Sequence, residues 1–180
     1  MRAPSGSPAR SDIQVQWATF AELTPSALYA LLRLRAHVFV VEQQCAFADL
    51  DGQDEQAWHL LLWWDGALAG YARMFPPPEP GTAVATPANA PSTARSAGQV
   101  SVGRIVTPLA LRGQGLGQRL MEELLRHSAR HFPAAPVRMG AQSRLQKFYA
   151  GYGFVVVGSA FLEDGIVHVP MLRAPELLPR

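Results

Sequence analysis

The sequence predicts a mixed α/β fold of the α+β type, in which a mixed β-sheet carries helices on both faces. Two apolar runs flank the dipeptide Asp65-Gly66, and a further strand-like run at residues 99–107 leads into an amphipathic helix at residues 116–131. Shorter strand and helix signals follow. Strands, then alternating strands and helices, then closing strands are typical of a sheet that helices cover on both sides.

The composition predicts one globular domain. The chain has 180 residues, of which 48% are hydrophobic and 17% are charged, and this balance supports a single buried core. The formal net charge is +2 and the arginines are scattered, so we expect no nucleic-acid partner. No stretch approaches the roughly 18 apolar residues of a membrane-spanning helix. The N-terminus also lacks the apolar core of a secretory signal, and we expect no membrane partner.

The cysteine content bears on the compartment. Cys45 is the only cysteine, so an internal disulfide and a cysteine-based zinc site are both excluded. A lone thiol fits a reducing compartment. We therefore expect a cytoplasmic protein that needs no metal.

The domain organisation follows from local composition. Residues 1–12 are mostly small and polar, with two prolines and one glycine, and predict a flexible tail. Residues 13–175 form the domain. Within it, residues 76–98 consist mostly of Pro, Ala, Ser, Thr and Gly and predict a flexible insertion between two strands.

The first elements are a strand and a helix. Residues 15–20 alternate weakly as a strand, and Thr24-Pro25 supplies an N-cap followed by proline at the first helical position. Apolar side chains then recur at helical spacing, which predicts a helix over residues 25–37. The apolar run at residues 38–41 either continues this helix or begins a new element.

A hairpin and a second group of elements complete the sheet. Residues 58–64 and 67–75 are strands joined by Asp65-Gly66, because this dipeptide tolerates the positive φ angles of a type I′ turn. The later elements are predicted as strands at residues 99–107, 137–140, 154–161 and 165–172, and helices at residues 116–131 and 143–151.

The turn before residue 116 has the features of an anion-binding site. Arg112 opens an R-x-x-G-x-G pattern, and Gly113, Gly115 and Gly117 leave successive backbone N–H groups free to face an anion at the start of a helix. The turn does not match the dinucleotide-binding fingerprint, which requires an acidic residue about 20 positions later, and it does not match the P-loop, which requires Gly-Lys-Ser/Thr. The alternative is a tight turn with no ligand.

A second motif gives this turn a family. Tyr149, Gly153 and Phe154 form Y-x-x-x-G-F on a short helix before a strand. With the R-x-x-G-x-G turn about 40 residues earlier, the chain resembles the GCN5-related N-acetyltransferase (GNAT) family. Residues 32–55, 140–154 and 163–171 resemble its ElaA-type branch.

This resemblance implies a fold, a cofactor and a reaction. The family fold is a mixed, splayed sheet with helices on both faces, and acetyl-CoA lies between its fourth and fifth strands. The reaction implied is direct transfer of the acetyl group to a primary amine, whose identity the sequence leaves open. The alternative is a non-catalytic sensor that binds acetyl-CoA. The oligomeric state also stays open, with a homodimer as one arrangement to test.

The resemblance also assigns the cofactor contacts. Backbone groups of Ile105, Val106 and Thr107 are expected to meet the pantetheine arm. Gln142 keeps an amide where many members have Asn, so a cofactor contact is expected there. The residues expected around the pyrophosphate are Arg112, Gly113, Gln114, Gly115, Leu116, Gly117 and Gln118.

The catalytic candidates include one acid and several bases. Tyr149 is the expected general acid, because a phenol stays protonated at neutral pH and can supply the departing thiolate with a proton. Many members carry a Glu near the end of the fourth strand, where this chain has Gly103-Arg104. The base must then come from elsewhere, and the candidates are Glu42, Asp51, His59 and His168. Each has a structural alternative, as a solvated carboxylate or a hydrogen-bonded core histidine.

An acidic cluster precedes the hairpin. Asp49, Asp51 and Asp54 lack the remaining loop residues of an EF-hand. They are expected to shape a loop or to attract a cationic amine, with Arg104 orienting them.

Overall fold

The first half of the sheet is an antiparallel meander of three strands. The computed structural model describes residues 13–79 and 97–175. Its first strands are β1 (Ile13–Thr19), β2 (Trp58–Trp64) and β3 (Ala67–Phe75). Asp65 and Gly66 between β2 and β3 have φ angles of +50° and +74°, which is the backbone of a type I′ turn. The predicted hairpin is confirmed with the same strand bounds.

Helix α1 (Pro25–Arg35) lies between β1 and β2 and continues without a break into a wider turn. The Thr24 hydroxyl accepts a hydrogen bond from Ala27 N at 3.2 Å, which satisfies one of the unpaired N–H groups at the helix start. A π-helical segment, Ala36–Glu42, follows. The apolar run at residues 38–41 therefore extends the helix, and it does so with π-helical pairing.

The second half adds five strands and two α-helices, in a mixed order. They are β4 (Val100–Val106), α2 (Leu116–His131), β5 (Val137–Gln142), α3 (Gln146–Ala150), β6 (Val155–Val156), β7 (Phe161–Glu163) and β8 (Ile166–Arg173). The sheet order is β1-β2-β3-β4-β5-β8-β6, and β7 pairs with β8. Neighbouring strands are antiparallel except β4 and β5, which are parallel.

The single strand predicted at residues 154–161 is wrong. This stretch forms two short strands, β6 and β7, which pair with β8 at separate places, and the chain between them leaves the sheet. Val157 N still donates to the carbonyl oxygen of Pro170 at 2.9 Å, but Pro170 has no N–H to return the bond. At Gly158 the backbone approaches the Pro170 ring so closely that a Cβ would lie 2.9 Å from its Cγ. The proline therefore ends the ladder.

The core lies on both faces of the sheet. Leu60 packs on one face with Leu120 of α2, whereas Leu61 packs on the other with Leu31 of α1, and all four are fully buried. Successive residues of a strand point to opposite faces, so β2 is apolar at nearly every position because helices cover both sides. The mixed sheet with helices on both faces is confirmed.

Two sequence predictions fall mostly outside the described residues. The N-terminal tail at residues 1–12 lies outside them, as does most of the 76–98 insertion. Within residues 13–79 and 97–175, no helix is both long enough and apolar enough to cross a bilayer.

A cluster of rings fixes the outer end of α2 to β1 and β2. The His127 ring stacks on Trp17 with centroids 3.8 Å apart and meets the edge of Trp58 at 4.7 Å. Burial, together with the positive charges that His131 and Arg130 bring, lowers the pKa of His127 to about 4. The imidazole is thus packed in its neutral form.

We predict that His127 contributes to loss of stability in acid. The unfolded side chain takes up a proton near pH 6.5, whereas the folded one resists protonation down to about pH 4. Unfolding therefore binds a proton in this window, and stability falls as pH is lowered through it. In His127→Phe, which keeps a ring in the stack, the fall in melting temperature between pH 7 and about pH 4.5 should be smaller than in the wild type.

His37→Phe is the matched control, because His37 is exposed on the π-helical segment that follows α1. It should lose as much stability as the wild type over the same pH range. An equal loss in all three proteins would show that burial of His127 has no linkage to acid sensitivity.

Candidate active site

The cleft of this protein is a gap between two neighbouring strands. Strands β4 and β5 pair only at Val100 with Val137 and at Ser101 with Arg138. Past these pairs the strands separate, and a cleft of about 870 Å³ lies between them. A bulge coincides with the separation: the register of β3 on β4 shifts between Tyr71 and Arg73.

Most of the residues expected at the site line this cleft. They come from the end of β4, the turn before α2, the end of β5, α3 and β8. The lining residues that the sequence identified are Ile105, Val106, Thr107, Arg112, Gly113, Gly115, Leu116, Gly117, Gln118, Asp51, Gln142, Tyr149 and His168. Gln114, Glu42 and His59 are not among the lining residues.

The glycine-rich turn has the backbone that an anion site requires. Gly113 and Gly115 have φ angles of +79° and +83°, which residues with side chains rarely adopt. Gly115 is the N-cap of α2, and no side chain of the described residues caps this helix start. Its first N–H groups are therefore available to a ligand, and the helix dipole favours an anion there.

Gly117 differs from the other two glycines. It lies in the first turn of α2, and a Cβ there would meet Phe148 Cζ at 3.6 Å, an ordinary contact. The protein itself therefore has room for a small side chain at this position. The glycine here leaves more space in the cleft, and the backbone conformation does not require it.

Arg112 forms an ion pair at the cleft entrance. Its Nη1 and Nη2 donate to the two carboxylate oxygens of Glu42 at 2.7 and 2.9 Å. Both side chains are partly exposed, and such surface pairs contribute about 0–1 kcal/mol. Arg112 can thus exchange Glu42 for another anion at little cost. The sequence identified both residues but not their contact.

The segment that follows Glu42 reaches two further walls of the cleft. Gln142 Nε2 on β5 donates to Gln43 Oε1 at 3.1 Å. Cys45 Sγ donates to the carbonyl oxygen of Asp164, in the β7–β8 turn, at 2.7 Å. Residues 42–45 therefore reach from Arg112, before α2, to the β7–β8 turn.

Tyr149 is a buried wall of the cleft. Its side chain is 6% exposed, and the ring packs edge-on against Phe148 and Phe154. Burial raises the pKa of Tyr149 to about 12, although Arg144 opposes the shift. The phenol therefore carries its proton at neutral pH.

His168 lies on β8, opposite Gln142 in the β5–β8 register. Its Nδ1 is 2.9 Å from the carbonyl oxygen of Ile166, and because a carbonyl only accepts, Nδ1 carries the proton. Nε2 is then the basic nitrogen in the neutral ring. Glu163 Oε2 lies 3.9 Å from Nδ1.

His59 occupies a different environment. It is fully buried, with Nδ1 2.8 Å from the Tyr71 hydroxyl and Nε2 3.0 Å from the carbonyl oxygen of Asp54. Burial lowers its pKa, and the positive charges of Arg35 and Arg73 act in the same direction. Both ring nitrogens are thus engaged inside the core.

The loop before β2 is held by arginines that the sequence analysis missed. Arg35, at the end of α1, and Arg73, on β3, are both fully buried. Asp54 Oδ1 lies 2.7 Å from Arg35 Nη1 and 2.8 Å from Arg73 Nη1. One carboxylate thus joins a helix to a strand. Arginines at positions that the apolar spacing assigns to the core were the signal for this network.

Arg104 extends the network to the cleft. Its Nε lies 2.7 Å from Asp49 Oδ1, and its Nη2 lies 3.4 Å from Asp51 Oδ2. Burial alone would raise the pKa of Asp51, but Arg73 and Arg104 outweigh it and hold the value at about 2. The interpretation of these aspartates as loop-shaping groups oriented by Arg104 agrees with these contacts. Three arginines and three aspartates balance in charge.

The described residues contain no group of three or more His, Cys, Asp and Glu side chains arranged to hold a metal ion. The three aspartates are therefore accounted for by their arginine partners.

We predict that Asp54 is the most sensitive member of the network to truncation. Asp54→Ala removes one carboxylate partner from each of two buried guanidinium groups, so the free energy of unfolding should fall by about 3–5 kcal/mol in urea titration. Glu55→Ala is the matched control, because Glu55 is exposed in the same turn. Equal, small losses in both variants would contradict the role of Asp54.

Comparisons with known proteins agree with this geometry. Residues 87–174 match the family described as acetyltransferase (GNAT) domain. Protein ElaA of Escherichia coli is 39% identical over 155 residues, which span 85% of this chain and 91% of that protein. The crystal structure of Escherichia coli ElaA superposes with a TM-score of 0.76 at 38% identity and covers 89% of this chain and 99% of its own.

A second solved structure is equally similar. It is an acyl-CoA N-acyltransferase from Pseudomonas aeruginosa, which superposes with a TM-score of 0.77 at 41% identity and covers 90% of this chain and 99% of its own. The similarity extends over most of the chain. The chain belongs to the ElaA branch of the GNAT acetyltransferase family.

Proposed function

We propose that this protein transfers an acetyl group from acetyl-CoA directly to a primary amine. The observation that carries the proposal is the cleft between β4 and β5, with an anion-binding turn at one end and a protonated phenol on its wall. Family membership supports acyl transfer in general. The acetyl donor and the amine acceptor are the finer part of the proposal.

The cleft residues fit a coenzyme A molecule. The pyrophosphate is assigned to the N–H groups of the turn at residues 113–117 and to Arg112, where anion, helix dipole and guanidinium are complementary. Ile105, Val106 and Thr107 offer a strand edge that β5 has left, so a pantetheine amide can pair with it. Gln142 adds a side-chain amide on the opposite wall.

Two side chains are assigned to proton transfer. Acetyl-CoA supplies a thioester, which a neutral amine attacks. His168 Nε2 takes a proton from the attacking amine, since Nδ1 is already protonated against Ile166. The Tyr149 hydroxyl gives its proton to the departing sulfur. Neither Glu42 nor His59 is needed in this scheme, because Glu42 pairs with Arg112 and His59 lies within the core.

The proposed location is the cytoplasm, which the free thiol of Cys45 supports.

A non-catalytic acetyl-CoA sensor is the second candidate function, favoured by Gly103-Arg104 where many family members carry a Glu. Thiol release from acetyl-CoA across a panel of amines separates the two, because a sensor releases none above the hydrolysis background.

We predict that Arg112 contributes to cofactor affinity. Arg112→Ala removes a charge-assisted contact to the pyrophosphate and should weaken coenzyme A binding by about 1–3 kcal/mol in isothermal titration calorimetry. Arg126→Ala is the matched control, since Arg126 pairs with Glu123 on α2 outside the cleft. Unchanged affinity in Arg112→Ala would remove this residue from the site.

Tyr149 is tested by deleting only its hydroxyl. Tyr149→Phe keeps the buried ring, so coenzyme A affinity should persist while kcat falls by about 100-fold or more. Because the pKa of Tyr149 is about 12, the phenol stays protonated between about pH 7 and about pH 10. The ratio of the two rates should therefore stay constant over this range.

Tyr152→Phe serves as the control, because Tyr152 lies outside the cleft lining. Its kcat should match the wild type. Wild-type turnover by Tyr149→Phe would rule out the general-acid role and leave His168 or water as the proton source.

A further inference from the structure

The far half of the cleft has walls of mixed character. Beyond the turn that is assigned to the pyrophosphate, aromatic rings and ionisable side chains line it. One wall carries Phe39, Phe47 and Arg104, the other carries Phe161, Glu163 and His168, and Asp51 and Asp164 line this part as well. We call this part the acceptor half, since the proposed cofactor contacts occupy the other.

Arg104 is the cation of the acceptor half, and its backbone is unusual. Its φ angle is +51°, a left-handed conformation that is unfavourable for a residue with a side chain. It lies where the register of β3 on β4 shifts. This bulge turns the side chain into the cleft at the point where β4 and β5 separate.

The contacts of Arg104 leave one nitrogen for a ligand. Nε and Nη2 face Asp49, at 2.7 Å from Oδ1 and 3.4 Å from the carbonyl oxygen, and Nη2 also lies 3.4 Å from Asp51 Oδ2. Nη1 takes part in none of these contacts. The side chain is 17% exposed and lines the cleft, so its open edge faces the cavity.

The guanidinium group is also held in place. Its carbon lies 6.0 Å from the centre of the Phe39 ring and 5.7 Å from that of Phe47, within the range of cation–π attraction. The aspartates on the other side belong to the charge-balanced network with Arg35 and Arg73. A guanidinium group that rings and carboxylates already hold loses little freedom on binding, so it is suited to selecting ligands by the geometry of their anionic group.

The opposite wall of the acceptor half carries the proposed base. His168 and Glu163 belong to β8 and β7, beyond β5 from Arg104 on β4. The Phe161 ring stacks on His168 with centroids 5.8 Å apart. A molecule that spans the acceptor half thus meets a fixed cation at one wall and a proton acceptor at the other, with aromatic faces between.

We propose that the acceptor is a primary amine that carries a carboxylate, which Arg104 binds through its Nη1 edge while the amine faces His168. This inference rests on the proposed acetyl transfer. The amine nitrogen bonds to the acetyl carbon as the carbon–sulfur bond breaks. His168 Nε2 receives the amine proton and Tyr149 protonates the sulfur, so an amide and a free thiol are the products. Solvent then returns the proton from the histidine to the tyrosine.

The test compares acceptors that differ only in the anion. A series of ω-amino acids of increasing chain length is paired with the corresponding ω-amino carboxamides, and kcat/KM is measured by thiol release from acetyl-CoA. In the wild type, the best acid should exceed its amide by about 10-fold or more, because its amide lacks the charge-assisted bond to the guanidinium. Arg104→Gln should bring this ratio close to one, and Arg104→Lys should keep part of it.

The readout separates a specificity role from a structural one. Loss of a structural residue lowers kcat/KM for acids and amides alike and leaves their ratio unchanged. Coenzyme A affinity, measured by calorimetry, reports whether each variant is folded. If Arg104→Gln does not fold, the acid-to-amide ratios of the wild type and of Arg104→Lys decide the question.

The outcomes also distinguish this proposal from the one on which it rests. Turnover of amides or plain alkylamines at rates equal to the acids overturns the role of Arg104 and leaves acetyl transfer intact. Thiol release from none of the amines overturns acetyl transfer itself. An acid preference that persists in Arg104→Gln would assign the carboxylate to another residue.

Discussion

The separation of β4 from β5 is the constraint on which the rest of this structure depends. Two residue pairs join the strands, and a bulge on β4 lies just beyond the last of them. Each strand is left with an inner edge whose N–H and C=O groups face a cavity, and buried backbone groups need partners. A ligand that carries its own amide groups can supply hydrogen-bond partners to these N–H and C=O groups. The glycine-rich turn follows β4 in the chain after a short connection, so the same separation sets the distance between this turn and the open strand edge.

The arginine–aspartate network keeps this separation in one geometry. Burying charges costs several kcal/mol per ion, and close pairing repays the cost only when the groups are well placed. Here each aspartate has at least two arginine contacts, so removal of one member affects its neighbours. The network joins α1, β3 and β4 through one loop. We interpret it as a device that fixes the bulged strand, with little net gain in stability.

The sequence predicted the frame of the fold better than its details. The bounds of β2, β3 and α2 agree because a type I′ turn and a helical apolar face are local signals. The break between β6 and β7 depends on Pro170, a residue of another strand, and no local pattern contains that contact. The same limit applies to the site. Motif spacing identified the lining residues of the turn, whereas the burial of His59 and the pairing of Glu42 with Arg112 arise only in three dimensions.

The pairing of Glu42 with Arg112 has a consequence for how fast a cofactor arrives. Long-range attraction depends on net charge that a distant ligand can sense, and solvent ions screen it within about 8 Å at physiological salt. At the cleft entrance the guanidinium is already neutralised by a carboxylate 2.7 Å away, and the chain's net charge is only +2. The entrance therefore exerts little electrostatic steering. Under the proposed function, encounter with the cofactor is governed by ordinary diffusion, and selection among anions takes place after contact, when one of them displaces the glutamate.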